Sequence, residues 1–305
     1  MDPGALRKRL VFVVANNGAI DIYRQGGKNQ LVGEITSDPY PTSIAADTAG
    51  NIYSQNSSFS STNVTVYAPP YTKGPKLTLT GRTFFGPIAV SRPGTIAVFG
   101  CTIPSGSQCG TGFLFYAVGS TTPCATVLVD ETGSSPFSNG IWGAAFDHKG
   151  NLYFGSGGSG TEAPLAVGRI NGSCNAKNFE TFTTNNAIAY AGDVRFNKAG
   201  RIAILVATGT TSYTVSIDTY DPPKNGSLGD PVSTTTLPGG LSAYSGSFAF
   251  QSSGRNFWAG QEPVEPSYDG GVSEFSYPAG GAPKKVIAAP LLYAGEVAVT
   301  PALVP

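Results

Sequence analysis

The chain repeats itself, and the repeat restricts its folds more than any other feature. Six segments align without gaps: PTSIAADTAG from Pro41, FGPIAVSRPG from Phe85, IWGAAFDHKG from Ile141, AGDVRFNKAG from Ala191, SGSFAFQSSG from Ser245 and AGEVAVTPAL from Ala294. Five of them close on a glycine at the same offset, at Gly50, Gly94, Gly150, Gly200 and Gly254, with spacings of 44, 56, 50 and 54 residues. After each glycine comes a second apolar run (NIYS, TIAVF, NLYFG, RIAILV, NFWAG). A loop follows, then a third run (VTVY, FLFY, LAVGRI, YTVSID, VSEFSY) and a fourth that is rich in Thr and Val. Long helical periodicity is absent, and short Val, Ile, Tyr, Phe and Thr runs punctuated by Gly, Pro, Asn and Ser read as strands. The recurring glycine falls in the tight turn between the first two strands, where a positive φ costs it little.

Four strands per unit at a period near 50 residues is the pattern of a β-propeller blade. The sixth unit breaks off after its first strand. The missing strands stand at the other end of the chain: LVFVV from Leu10, AIDIY from Ala19 after the Asn17-Gly18 turn, and LVGEI from Leu31. The expectation is an all-β, six-bladed propeller over residues 10–305, preceded by a short stub, 1–9, and closed by one C-terminal strand that joins three N-terminal ones. Such closure leaves no open sheet edge between first and last blades. A seven-bladed ring and an open sandwich are the alternatives.

Within this frame the 40 glycines and 23 prolines of the 305 residues become punctuation for strands. Charged residues make up only 12%, and 19 acidic residues cancel 19 basic ones, so the basic field that nucleic-acid binding needs is missing. No Lys/Arg run marks a membrane-surface patch, and the longest apolar stretch is far short of the roughly 20 residues that span a bilayer. Low charge and four cysteines point to an exported protein. Cys101 and Cys109 bracket one loop between second and third strands, while Cys124 and Cys174 fall near third-to-fourth-strand turns of adjacent blades. Three connectivities exist, and this local pairing is the favoured one. Sequons at Asn56, Asn63, Asn171 and Asn225 matter only in a eukaryotic secretory pathway.

The run P-x-x-I-A-x-D-x-x-G-N-I-Y from Pro41, followed by VTVY from Val64, resembles the NHL-repeat propellers. More loosely, the chain is similar to the group that includes gluconolactonase-like and streptogramin-lyase-like proteins. The resemblance covers nearly the whole chain and implies the propeller fold; the same fold hosts many activities.

In such a ring the first strand of each blade lines the axis. Two positions into each segment, at the mouth of the channel, the alignment places Ser43, Pro87, Gly143, Asp193, Ser247 and Glu296. Two residues further, on the same strand face, come Ala45, Ala89, Ala145, Arg195, Ala249 and Ala298, so Arg195 is the outlier among alanines. A buried arginine needs a carboxylate or a ligand anion, and Asp193 and Glu296 are at hand; the group reads either as a structural plug or as an anion-binding or acid/base site. Three residues before the mouth stand Tyr40, Phe84, Gly140, Tyr190, Tyr244 and Tyr293, with Trp142 beside the glycine. These aromatics read either as lids that seal the blades or as a rim that stacks on a sugar or another flat ligand.

Most other chemistry is rejected. The sole histidine, His148, lies in the D-H-K-G turn on the opposite face, so nucleophilic triads lack a base. The channel-face histidine that the resemblance to streptogramin lyases implies has no match here. Of the metal ligands that the gluconolactonase resemblance implies, only Glu296 and Asp193 are present, with Asn139 and Asn186 nearby; oxygen donors favour Ca²⁺ over Zn²⁺. Asp47, Asp147 and Asn197 read as turn formers. Asp193 and Glu296 also suit glycoside hydrolysis if they face each other across the channel.

The first functional expectation is an exported, monomeric, non-catalytic propeller that binds a small-molecule, carbohydrate or protein ligand. Its contacts would be Tyr40, Phe84, Trp142, Tyr190, Tyr244 and Tyr293, with the loops 101–112 and 261–271. The alternative is a hydrolase or lyase in which Glu296 or Asp193 is the base and Arg195 stabilises negative charge. The two part on whether Arg195 is open to the channel or fully paired.

Overall fold

The computed structural model describes residues 9–15, 18–26, 28–36, 40–57, 62–80, 82–102, 109–129, 135–157, 162–209, 213–238, 246–261, 271–288 and 296–302. These form six antiparallel four-stranded sheets, and no helix occurs among them. Five sheets are built from consecutive strands and make blades 1 to 5. Their inner strands are Pro41–Ala46, Phe84–Val90, Gly143–Phe146, Tyr190–Phe196 and Phe248–Phe250. In blade 6 the inner strand is Val297–Thr300, and it pairs with Leu10–Val14, followed by Ile20–Arg24 and Leu31–Ile35. The inner strands touch in cyclic order, and that of blade 6 touches that of blade 1. The ring is a six-bladed propeller, closed as the sequence predicts.

In blades 1, 3 and 4 the repeated turn has one recipe. Asp47 Oδ1 accepts from the amides of Ala49 and Asn51, Asp147 Oδ1 from Lys149 and Asn151, and Asn197 Oδ1 from Ala199 and Arg201. The glycine that ends each turn holds φ between 68° and 96°. These side chains are spent on local amides, as Asx turns require.

Apolar side chains fill the spaces between blades. Phe99, Phe113, Phe137, Phe154 and Phe179 join blades 2 and 3, with ring centroids 5.0 to 5.8 Å apart in mostly tilted or edge-on contacts. This is the arrangement that aromatic quadrupoles favour. The Phe154 ring lies over Gly168, where a Cβ would meet it at 2.0 Å, so only glycine fits there.

Both disulfides follow the local pairing. Cys101–Cys109 closes a hairpin loop of blade 2, and Cys124–Cys174 ties the outer strand of blade 2 to blade 3. Their sequence separations are 8 and 50 residues. The chain-entropy model then assigns about 2.5 kcal/mol to the first and about 4 kcal/mol to the second. Urea unfolding of the two paired Cys→Ala variants should rank them so, with loss of Cys124–Cys174 the more damaging.

Candidate functional site

Antiparallel pairing puts the connections between first and second, and third and fourth, strands at one face of the ring, the turn face. The remaining connections lie at the other, the mouth face. Each inner strand has a blade on its outer side and an unpaired row of amides and carbonyls on its inner side. Buried backbone groups of this kind must find partners.

The mouth column supplies them. Asp193 Oδ2 accepts from the amide of Phe248, one blade on, at 3.2 Å. Ser247 Oγ accepts from the amide of Val297 at 2.7 Å. The Glu296 carboxyl accepts from the amide of Ile44 and hydrogen-bonds the Ser247 hydroxyl. The rule is the same each time: a mouth residue bonds the amide one position past its counterpart in the next blade. Gly143 follows it by omission, for a Cβ there would sit 2.3 Å from the amide nitrogen of Val194, so the two strands close directly. Between blades 1 and 2 the link is Gln55, whose amide, oriented to satisfy both partners, accepts from Phe85 N at 3.2 Å and donates to Gly86 O at 2.6 Å.

Arg195 belongs to the same system. Its Nη2 pairs with Asp193 Oδ2 at 2.7 Å, Nε donates to Phe248 O at 3.0 Å, and Nη1 donates to Ala144 O at 3.3 Å and Val194 O at 3.2 Å. One guanidinium thus ties blades 3, 4 and 5. Asp193 also accepts from Val194 N at 2.8 Å, which leaves its carboxylate fully engaged.

Burial pushes the Glu296 carboxyl up to about 8, helped by the negative charge of Asp193; Arg195 and the hydrogen bonds pull the other way. Asp193, raised by burial against the pull of Arg195 and the two backbone amides, reaches about 6. At neutral pH Asp193 therefore carries the charge beside Arg195 while Glu296 holds a proton. The Ca²⁺ implied by the resemblance does not fit this group, because the Arg195 guanidinium already occupies Asp193 and both carboxyls are bonded to backbone amides. Among the described residues no three His, Cys, Asp or Glu side chains gather as a metal site.

The channel is divided at Arg195. On its turn-face side lies a recess of about 580 Å³, counting the solvent at its opening, walled by Ala45, Ala89, Ala145, Ala249 and Ala298 and roofed by Arg195. Asp193 and Glu296 do not line it.

The aromatic rim is only partly as expected. Tyr40 is 65% exposed and Trp142 43% exposed. Tyr190 is half-buried, packed edge-on against Tyr213 at 5.4 Å. Phe84, in contrast, is 0% exposed and belongs to the core between blades 1 and 2, so it is no rim residue. Its neighbour Phe85 is 46% exposed instead. The strand's register shifts between Phe84 and Ile88, and an offset of one residue turns a side chain to the other face. Tyr244 and Tyr293 lie outside the described residues, as do 103–108 and 262–270 of the two loops. The sequence reading also missed Tyr213, 45% exposed, because it opens a third strand where no column was aligned. Of the sequons, Asn56 is buried and bonded to Asn63 and Thr65, so it accepts no glycan in the folded chain.

No known family's sequence profile matches the chain, and no curated protein matches it in sequence. Solved structures do match in fold. A chain of a nidogen/laminin complex superposes with a TM-score of 0.63 at 12% identity, covering 95% of this chain and 98% of that one. A luciferin-regenerating enzyme gives 0.57 at 11% identity, covering 92% of each chain. A putative 6-phosphogluconolactonase from Bacteroides uniformis gives 0.54 at 14% identity, covering 93% of this chain and 83% of that one. At these identities the likeness establishes the propeller and nothing finer.

Two predictions follow from the carboxylate pair. Arg195→Met leaves Asp193 buried without its partner and should cost about 3 to 5 kcal/mol in urea unfolding, whereas Asp193→Asn/Arg195→Met together should cost less than the two single changes added. Above about pH 4, where the unfolded chain releases both protons, the folded chain keeps that of Asp193 up to about 6 and that of Glu296 up to about 8. Their stabilising protonation is complete below about pH 4 and is lost as pH climbs through about 6 and about 8. The urea midpoint should accordingly fall between about pH 4 and pH 8, and Glu296→Gln should flatten most of that fall.

Proposed function

We propose that the chain is an exported, non-catalytic propeller of NHL-like repeat type whose mouth face binds a carbohydrate or protein ligand through exposed aromatic rings. One observation carries this reading. Of the exposed large aromatics among the described residues, Tyr40, Trp142 and Tyr213 stand in connections of the mouth face and Phe85 at the mouth end of an inner strand. The exposed large aliphatics, such as Leu128 and Val286, stand on outer strands or turn-face loops. Aromatic side chains concentrated on one face supply the large, oriented contact area that recognition sites use.

Tyr40 adds to this. It holds φ of 62°, a left-handed conformation that is costly for a residue with a bulky side chain, and its carbonyl accepts from Ser57 N at 3.1 Å. The ring is thereby set outward, where burial gives the molecule no return. Catalysis at the channel mouth has less support, since Arg195 is spent on Asp193 and three carbonyls and both carboxyls are spent on backbone amides. The two disulfides and the absence of a long apolar helix among the described residues suit export.

Trp142 is the natural reporter, because the other tryptophan, Trp258, is 0% exposed. Titration with soluble hexasaccharides of glucose, xylose and N-acetylglucosamine, and with a laminin-type glycoprotein, should shift Trp142 emission for at least one of them. Tyr40→Ala and Trp142→Ala, at about 1 to 3 kcal/mol each, should each weaken that binding by roughly tenfold or more without altering thermal unfolding. Binding that leaves Trp142 emission unmoved and survives both changes would place the site elsewhere.

A further inference from the structure

The balanced charge of the sequence conceals a strong segregation. Twelve of the seventeen described Lys and Arg residues stand at connections of the turn face or beside them. Around the opening of the recess, exposed Arg92, Lys149, Lys198 and Arg255 belong to the first-to-second-strand turns of blades 2 to 5. The turns of blades 3 to 5 adjoin one another: Lys198 Cβ lies 2.8 Å from where a Cβ of Gly254 would be, and His148 Nδ1 lies 4.0 Å from that position at Gly200. Further out, Lys177 and Lys224 are exposed in the third-to-fourth-strand connections.

The acids of this face are too few to neutralise it. Asp47 and Asp147 are buried turn caps, Asp221 is paired with Arg201 at 2.8 Å, and Glu180 is paired with Arg169. Asp230 is the remaining acid of these connections among the described residues. By sequence, the connections of the mouth face hold no lysine and one arginine, Arg82. The molecule is a disc with one basic side.

From this geometry we propose that the turn face is a second, independent binding surface, and that it docks on a planar anionic membrane surface. Shape selects the partner. The basic side chains are spread around the ring at two radii, so a linear polyanion would meet only a strip of them, whereas a sheet of acidic headgroups meets them together. Each basic residue held near such a surface adds attraction that decays within a Debye length, about 10 Å at 0.1 M salt. Docked this way, the disc would hold its aromatic face outward, towards solvent and ligand.

Cosedimentation of the whole chain with vesicles of phosphatidylglycerol and phosphatidylcholine tests the assignment. Pure phosphatidylcholine vesicles and dissolved heparin serve as comparisons. Binding to the anionic vesicles alone, falling steeply between about 0.02 M and about 0.5 M salt, is the expected result. Lys149→Glu/Lys198→Glu/Arg255→Glu should weaken it by roughly a hundredfold or more, and the triple alanine variant provides the same reading if reversal impairs folding. Trp142→Ala should bind vesicles like the parent chain, which separates this surface from the aromatic one. Failure to bind anionic vesicles at low salt, undiminished binding by the reversed variant, or capture of heparin without capture of vesicles would each overturn the proposal.

Discussion

The structure depends on how the inner strands settle their unpaired edges. A four-stranded blade pairs its strands in three internal ladders; the edge beside the axis is left with amides and carbonyls that no strand of its own blade can reach. Six such edges meet around one channel. Three mouth residues resolve the problem by handing an oxygen to the amide one position past their counterpart in the next blade, Asp193 to Phe248, Ser247 to Val297 and Glu296 to Ile44, while Gly143 lets two strands close directly and Gln55 links blades 1 and 2. The ring is thus held at its centre by side chain to backbone bonds and farther out by apolar packing between blades.

This arrangement explains why charge stands in a channel otherwise walled by alanine. Where blades 3, 4 and 5 meet, one arginine bonds carbonyls on both sides and is neutralised by the carboxylate that caps the adjacent amide. Uncompensated, either ion would be costly to bury. Paired and bonded, they satisfy more backbone groups than a serine at the same place can. The protonated state of Glu296 follows first from its burial and then from crowding, since a second full negative charge near Asp193 would have only one cation to answer it.

Periodicity made much of this legible in the sequence. Gly50 and its equivalents fix the turn, the turn fixes the phase of the first strand, and the phase fixes which residue stands at the mouth. Arg195 was conspicuous as the one non-alanine of its column. What the sequence could not disclose is the identity of partners that belong to the backbone, because a main-chain amide leaves no signature of its own; so Gln55, on a second strand, went unnoticed. Local irregularity hid the rest. The register shift after Phe84 exchanged that residue for Phe85 at the rim, and no alignment of columns can report a bulge within one of its own rows.

Charge shows the same limit more sharply. Read along the chain, lysines and arginines are dispersed, no run stands out, and the total is zero. Antiparallel folding sorts the connections alternately to opposite faces, so residues far apart in the chain are collected on one side without ever being neighbours in sequence. A composition that excludes a uniformly basic protein says nothing about a disc whose two faces differ. For a repeat fold the informative quantity is the charge of every second connection, because the topology that makes each blade also decides which connections share a surface.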